Sequence, residues 1–204
     1  MALGLLSIGT MFGRSPQMVG KRWLIYVLLV AAFGVVVPRM KGLEFFNPEM
    51  MSAYACIGMV FAGPAAAESF KNKPASMVEA TRWIFRAVLF AETIAVAMLL
   101  CGILTVYLTH LHSVFFLPDL PQLATSEALG VTGSLALAAL AAWLTLQFSS
   151  GVARLGLRVV FVGLLALFFL RGQWLPDTAG IGALIALAVS VALFGLLRMG
   201  LKRA

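Results

Sequence analysis

Long apolar stretches, separated by short polar segments, occupy most of this chain. A helix that crosses a hydrocarbon core about 30 Å thick needs roughly 20 predominantly apolar residues, and six stretches approach or exceed that length. They cover about residues 23–37, 50–67, 83–108, 128–148, 152–170 and 181–197. The pattern predicts an all-α, polytopic membrane protein with a bundle of six transmembrane helices.

The first and the fifth stretches match the pattern least well. The first is short because Pro38 ends it. The fifth has only residues 159–170 free of charge, since Arg154 and Arg158 lie near its start. Six spans are retained because a five-span chain would place the basic cluster that begins at Arg198 outside, against the positive-inside rule.

The N-terminal residues 1–16 are predicted to lie on the membrane surface. Leu5, Ile8 and Phe12 recur at helical spacing, which suits a short helix in the cytoplasmic interface. A frayed apolar terminus is the alternative. We expect no cleaved signal peptide, because no positive charge precedes this segment and no A-x-A cleavage pattern follows. Residues 17–204 are then a single transmembrane domain.

The composition supports the membrane class. Apolar residues make up 62% of the sequence and charged residues 11%, with a mean hydropathy of +1.01. This leaves too little polar surface to solvate a globular domain of 204 residues. The net charge of +7 does not indicate nucleic-acid binding, because the basic residues lie at the ends of apolar stretches. Their expected contact is the lipid bilayer.

The basic residues also predict an orientation. With the N-terminus inside, twelve Lys and Arg residues face the cytoplasm and only Arg39, Lys41 and Arg171 face outward. Cytoplasmic loops carry the Lys/Arg excess, so both termini are predicted to be cytoplasmic. A plasma (inner) membrane location, in a bacterium or archaeon, is inferred from the compact form and the absence of a targeting peptide.

Small residues mark where the helices should touch, because helices in lipid associate by close packing rather than by excluding water. The fourth stretch is rich in Ala from residue 136 to 142, with Gly130 and Gly133 before it. Small residues at four-residue spacing on the second and sixth stretches are Gly58, Ala62, Ala66, Gly182, Ala186, Ala188 and Ala192. We expect a bundle built around these three stretches, with a homodimer or heterodimer interface as an open alternative.

Glu92 is the one acidic residue deep inside a predicted span. An ionised carboxylate at the helix centre costs about 2.5–3.5 kcal/mol on insertion scales, so it should face the bundle interior, be paired or be protonated. Glu92 is therefore the candidate substrate or proton site. The alternative is a hydrogen-bonded carboxyl that locks helices together, with Thr93, Ser190 or Gln147 as partners.

Enzymatic and metal chemistry find little support in the motifs. The sequence contains no G-x-S-x-G, H-E-x-x-H or Walker A pattern, so no catalytic residue, enzyme activity or cofactor is predicted. His110 and His112 point in different directions on a helix, so no metal site is predicted. Cys56 and Cys101 lie in apolar spans that could bring them together, but neither is in a C-x-x-C pattern.

The segment between the second and third stretches is a candidate docking site for a partner protein. Pro74 can open a short helix there, with apolar residues at helical spacing after it. The candidate docking residues are Lys71, Lys73, Met77, Glu79 and Arg82.

With residues 1–12 before the first span and residues 71–82 in this loop, the chain resembles the half-size, six-span permeases of the ABC-2 exporter class. The resemblance implies an elbow helix, a coupling helix that binds a separate ATP-binding subunit, and two permeases around a central path. The chain lacks that family's Glu- and Gly-containing stretch in the loop and its re-entrant outer helices.

Three functional readings follow. The first is a transporter membrane subunit, an ABC-type permease that works with a separate ATPase chain. The second is a proton- or cation-coupled secondary carrier centred on Glu92. The third is a non-catalytic membrane scaffold or assembly subunit, in which Glu92 supports the fold or binds a partner.

Overall fold

The computed structural model describes residues 27–70, 74–110, 119–148 and 175–201, together with Gly156, Val159, Val160 and Gly163. Residues 27–41 form a helix, α1, that contains a π-helical turn at Ala32–Val36 and an α-helical part at Val37–Lys41. A 3-10 helix at Gly42–Phe46 follows. The remaining helices are α2 (Pro48–Cys56), α3 (Met59–Phe70), α4 (Met77–His110), α5 (Leu120–Gln147) and α6 (Leu175–Leu201).

Four helical segments in the described part are long and apolar enough to cross a membrane. They are Pro48–Phe70, which joins α2 and α3, and then Met77–Thr109, Leu120–Gln147 and Pro176–Leu201. They coincide with the second, third, fourth and sixth predicted spans and confirm the all-helical class. Residues 1–16 lie outside the described part, and so does the fifth predicted span, 152–170, apart from four residues.

The first predicted span ends later than the sequence indicated. We expected Pro38 to end the helix, yet α1 continues to Lys41. A proline cannot donate to the carbonyl four residues earlier, which here belongs to Gly34. The hydroxyl of Thr105 in α4 donates to that Gly34 carbonyl at 3.1 Å. A tertiary hydrogen bond thus replaces the local one.

Two other helices begin earlier than predicted. The third span was expected from residue 83, but α4 begins at Met77. The fourth was expected from residue 128, but α5 begins at Leu120, because the Asp119 carboxylate caps it by accepting a bond from the backbone N–H of Gln122 at 3.4 Å. Residues 120–127, which lie between the predicted third and fourth spans, are therefore helical.

The second span is interrupted at Ile57 and Gly58, between α2 and α3. The backbone N–H of Ile57 donates to the Tyr54 carbonyl at 3.2 Å, a three-residue bond in place of the usual four-residue one. Pro64 inside α3 removes a further backbone donor. The sequence pattern did not predict this interruption within the second span.

The small residues of α5 allow α2 and α3 to approach closely. A Cβ atom on Gly130 would collide with the Ala55 carbonyl, and one on Gly133 with the Met59 side chain. The same helix contacts α6, where a Cβ on Gly182 would lie 3.1 Å from the Leu129 side chain. Helix α5 thus lies between the second and sixth spans. On α6, however, Ala188 and Ala192 are exposed, so this predicted contact pair is wrong for the described helices.

The contacts also fix the relative directions of the helices. Contacts pair Ser52 with Ser126 and Met59 with Gly133, so α2–α3 runs parallel to α5. Gly182 lies near Leu129, and Gly200 near Gln147, so α6 is parallel to α5 as well. The starts of α2, α5 and α6 therefore lie at the same end of the bundle.

Candidate functional site

Glu92 lies near the middle of the long helix α4. The helix has 34 residues, and Glu92 is about 22 Å from its start at roughly 1.5 Å per residue. The helix is long enough to cross a bilayer, and in a span of that kind this position corresponds to the hydrocarbon region rather than to an interface.

Three helices meet at the Glu92 carboxyl. The hydroxyl of Ser134 in α5 donates to Glu92 Oε1 at 2.6 Å. On the other side, a Cβ atom placed on Gly58 would be 2.6 Å from Oε1 and 3.1 Å from Oε2. Glu92 therefore occupies the space that a side chain at Gly58 would take, directly at the interruption between α2 and α3.

The second carboxyl oxygen of Glu92 lacks a partner. Within the part of the chain that the structure describes, Oε2 is buried and accepts no hydrogen bond, and Glu92 forms no ion pair. A buried polar group without a partner is destabilising, and an unpaired charge is more so. A proton on the carboxyl removes the charge, and a bound cation or ligand donor would satisfy the oxygen. The arrangement is suited to binding one of these.

The predicted hydrogen-bond partners of Glu92 are wrong. The Thr93 hydroxyl donates to the Leu89 carbonyl, and the Ser190 hydroxyl to the Ala186 carbonyl, both at 2.7 Å. Gln147 lies against Gly200 at the far end of α5. Each hydroxyl satisfies a carbonyl one turn earlier in its own helix, which needs no tertiary partner.

Ser134, the true partner, was given no such role by sequence reasoning. A signal for it was present, because Ser126, Gly130 and Ser134 recur every four residues on the small-residue face of α5.

A second group of polar side chains lies closer to the start of α5. The Ser126 hydroxyl donates to the Ser52 hydroxyl of α2 at 2.7 Å, and both residues are buried. The Cys56 thiol donates to the Ser126 carbonyl at 3.4 Å. Glu127, the next residue in α5, is half-buried. Sequence reasoning assigned no role to Ser52, Ser126 or Glu127.

No protein family, curated protein or solved structure matches this chain. The permease resemblance therefore stays a prediction from the sequence. What can be argued about function rests on the geometry of the buried polar groups.

The candidate docking residues do not form a separate helix. Met77, Glu79 and Arg82 lie in the first turns of α4, so the predicted short helix is the start of the long third span. The Glu79 carboxylate accepts a bond from the Ala75 N–H at 2.8 Å, and the Ser76 hydroxyl accepts one from the Glu79 N–H at 3.2 Å. This reciprocal pair caps α4.

Two of these side chains are engaged within the chain. Glu79 belongs to the cap, and Met77 packs against a buried cluster that includes Ile84. Arg82 is exposed. Lys71 and Lys73 lie outside the described residues. Docking of an ATPase at this segment stays a prediction.

The two cysteines contact different helices. The Cys101 side chain lies against Gly34 of α1, whereas Cys56 faces Ser126, so the predicted approach of the two thiols does not occur. His110 ends α4, and His112 lies outside the described residues. In the described part, no cluster of three or more His, Cys, Asp or Glu side chains could hold a metal ion.

Proposed function

We propose that this chain is an ion-coupled membrane carrier, in which the Glu92 carboxyl binds a proton or a small cation near the middle of the bilayer. One observation carries the proposal. Glu92 lies against the interruption of a neighbouring membrane helix, with one carboxyl oxygen held by Ser134 and the other buried without a partner among the described residues.

The geometry suits coupling because the proposed ion site at Glu92 lies at the interruption between α2 and α3. Interrupted helices at the bilayer midplane are a recurrent feature of ion sites in secondary carriers. Binding a proton at Glu92 would change the charge in contact with Gly58 and so favour a different arrangement of α2 against α3. A ligand can shift such an equilibrium only through its different affinities for the two arrangements.

The proposal includes a six-span topology with both termini in the cytoplasm, in the plasma membrane. It is supported by the parallel directions of α5 and α6, which require the chain to cross between Gln147 and Leu175. The apolar residues 152–170 lie in that interval. The unequal division of Lys and Arg residues supports the orientation.

The test measures proton flux through the purified, full-length chain in proteoliposomes. A pH-sensitive dye is enclosed, a potassium diffusion potential is imposed, and amino acids, sugars and organic cations are added in turn. We expect a substrate-dependent proton flux that Glu92→Gln abolishes. The matched control is Glu49→Gln, which neutralises an exposed carboxyl at the start of α2 and should keep the flux.

Stability measurements on the same variants separate the carrier from the scaffold. Glutamine keeps the shape of Glu92 and can accept the bond from Ser134, so a carrier should lose flux without losing its fold. Identical dye responses of wild type and Glu92→Gln under every condition, together with a lower unfolding temperature of the variant, would overturn the proposal in favour of a structural role.

A further inference from the structure

A small pocket opens at the end of the bundle where α2 and α5 begin. Its polar lining comes from Ser52, Asp119 and Gln122. Ser52 lies at the inner side of this pocket and is itself buried. Through this pocket, water at the protein surface reaches the Ser52 side chain, which belongs to the α2–α5 interface.

Polar groups continue inward from the pocket along the same interface. Ser52 accepts the hydrogen bond from Ser126, and the next residue, Glu127, is half-buried. Two turns further along α5, Ser134 contacts Glu92 directly.

We infer that protons reach Glu92 from the end of the bundle where α2 and α5 begin, by way of Ser52, Ser126 and Glu127. The inference rests on the proposed function and deepens it, because it selects the proton over a metal cation and specifies the side of entry. Under the proposed topology this entry side is the outer face of the membrane.

The small space around the Glu92 carboxyl favours a proton over a metal cation as the bound ion. Hard cations such as Mg²⁺ and Ca²⁺ bind through about six or more oxygen ligands. Glu92 has one hydroxyl neighbour, Ser134, and the side toward Gly58 has no room even for a methyl group. The described residues contain no cluster that could hold a metal. A proton needs only the free lone pair of Oε2.

In the proposed transfer, Glu127 loses the proton that Glu92 gains. A proton leaves the Glu127 carboxyl and bonds to Glu92 Oε2, so that Glu127 becomes a carboxylate as Glu92 becomes neutral. Glu127 is about 10 Å along α5 from Ser134, the hydroxyl neighbour of Glu92, at roughly 1.5 Å per residue, so water has to bridge the two carboxyls. The Ala55–Gly130 backbone contact lies between them, and α2 must move there for water to enter.

The other titratable and charged groups around Glu92 are few. From α2, Cys56 is buried, and its thiol donates to the Ser126 carbonyl. On its own helix, Arg86 is exposed. In the described part of α6, the charged residues are Asp177 and Arg198, near its two ends. Glu127 is therefore the acidic group placed to exchange a proton with Glu92.

The test follows the carboxyl of Glu92 by infrared spectroscopy of the full-length chain in lipid. The C=O band of protonated Glu92 is identified as the band that Glu92→Gln removes, and its shift after exchange into D₂O gives an exchange rate. We expect Glu127→Gln to slow this exchange about a hundredfold, the low end of what a positioned proton-transfer group contributes. Ser126→Ala should also slow it, while Glu49→Gln should leave it unchanged.

The outcomes separate the two proposals. If wild type and Glu92→Gln show the same carboxyl bands at every pH, Glu92 takes up no proton and this inference is overturned. If the Glu92 band is present but exchanges at the wild-type rate in both Glu127→Gln and Ser126→Ala, the route is wrong and the Glu92 site stands. Ser126→Ala retains a small residue on this face, so it keeps the test decisive should Glu127→Gln fail to fold.

Discussion

The Glu92 carboxyl lies in the space next to Gly58, where a Cβ atom would be 2.6 Å from Glu92 Oε1. The two residues are on different helices and far apart in sequence. Their contact places the one acidic side chain at the centre of α4 against the only interruption in the described part of the second span. It explains why the residue at this interruption has no side chain.

Replacing Gly58 with alanine tests this contact. The new methyl group would push the Glu92 carboxyl away from Ser134, so we expect Gly58→Ala to lower the free energy of unfolding by about 1–2 kcal/mol, within the usual range for overpacking. The measurement is a denaturant titration in detergent micelles. Gly195→Ala is the control, because a Cβ atom there meets nothing within 4 Å.

The double variant Gly58→Ala with Glu92→Ala should recover part of this loss, since the clash is then gone. Equal losses with and without the Glu92 carboxyl would contradict the contact.

Gly130 and Gly133 should differ in their tolerance of alanine. A methyl group on Gly130 would meet the backbone carbonyl of Ala55, which can move only if the helices separate. On Gly133 it would meet the end of the Met59 side chain, which can adopt another rotamer. We expect Gly130→Ala to lose about 2–3 kcal/mol of unfolding free energy and Gly133→Ala less than about 1 kcal/mol.

The same micelle titration measures both glycine variants, and a tolerant Gly130 would show that α2 and α5 are farther apart than described.

The buried hydroxyl pair of Ser52 and Ser126 provides a third prediction. Interhelical hydrogen bonds in membrane proteins couple their partners by about 0.6 kcal/mol on average. A double-mutant cycle with Ser52→Ala, Ser126→Ala and the double variant should give a coupling of this size, measured from unfolding free energies. Additive losses would mean that the two hydroxyls do not interact. The exposed Thr125, whose hydroxyl bonds to the Gln122 carbonyl of its own helix, offers a control pair with Ser52.

The parallel arrangement of α2 and α6 predicts which ends share a membrane face. In a background with both cysteines replaced by alanine, Glu49→Cys and Asp177→Cys lie at the starts of these helices. A membrane-impermeant thiol reagent should label both from the same side of intact cells. Arg198→Cys, in the last turn of α6, should require the opposite side. Labelling of all three from one side would refute the arrangement.

Much of the fold follows from the sequence. In lipid, an apolar run of about 20 residues is stable as a helix, because a helix satisfies its own backbone hydrogen-bonding groups. That reasoning located the four described spans, and the small residues around Gly130 marked the central helix. It placed the boundaries less well, because the Asp119 cap and the Glu79 cap lengthen α5 and α4 beyond their apolar parts.

The sequence identified only part of the candidate site. Glu92 was identified because a carboxyl inside an apolar run has no local explanation, so it could be named without any contact. Its partner Ser134, the interruption at Gly58 and the row formed by Ser52, Ser126 and Glu127 were not identified. Each of these depends on which face of one helix meets which face of another.

The sequence by itself thus determined the helical content, the apolar runs long enough to cross a membrane and the one acidic residue near the middle of such a run, because these depend on the solvent that each segment prefers. The tertiary structure decided everything that depends on register. The Thr105 hydroxyl bonds to the Gly34 carbonyl, which cannot receive a bond from Pro38. Glu92 lies against Gly58, at the interruption between α2 and α3. Interactions between residues distant in the chain have no local signature, and in lipid they arise from close packing rather than from hydrophobic pattern.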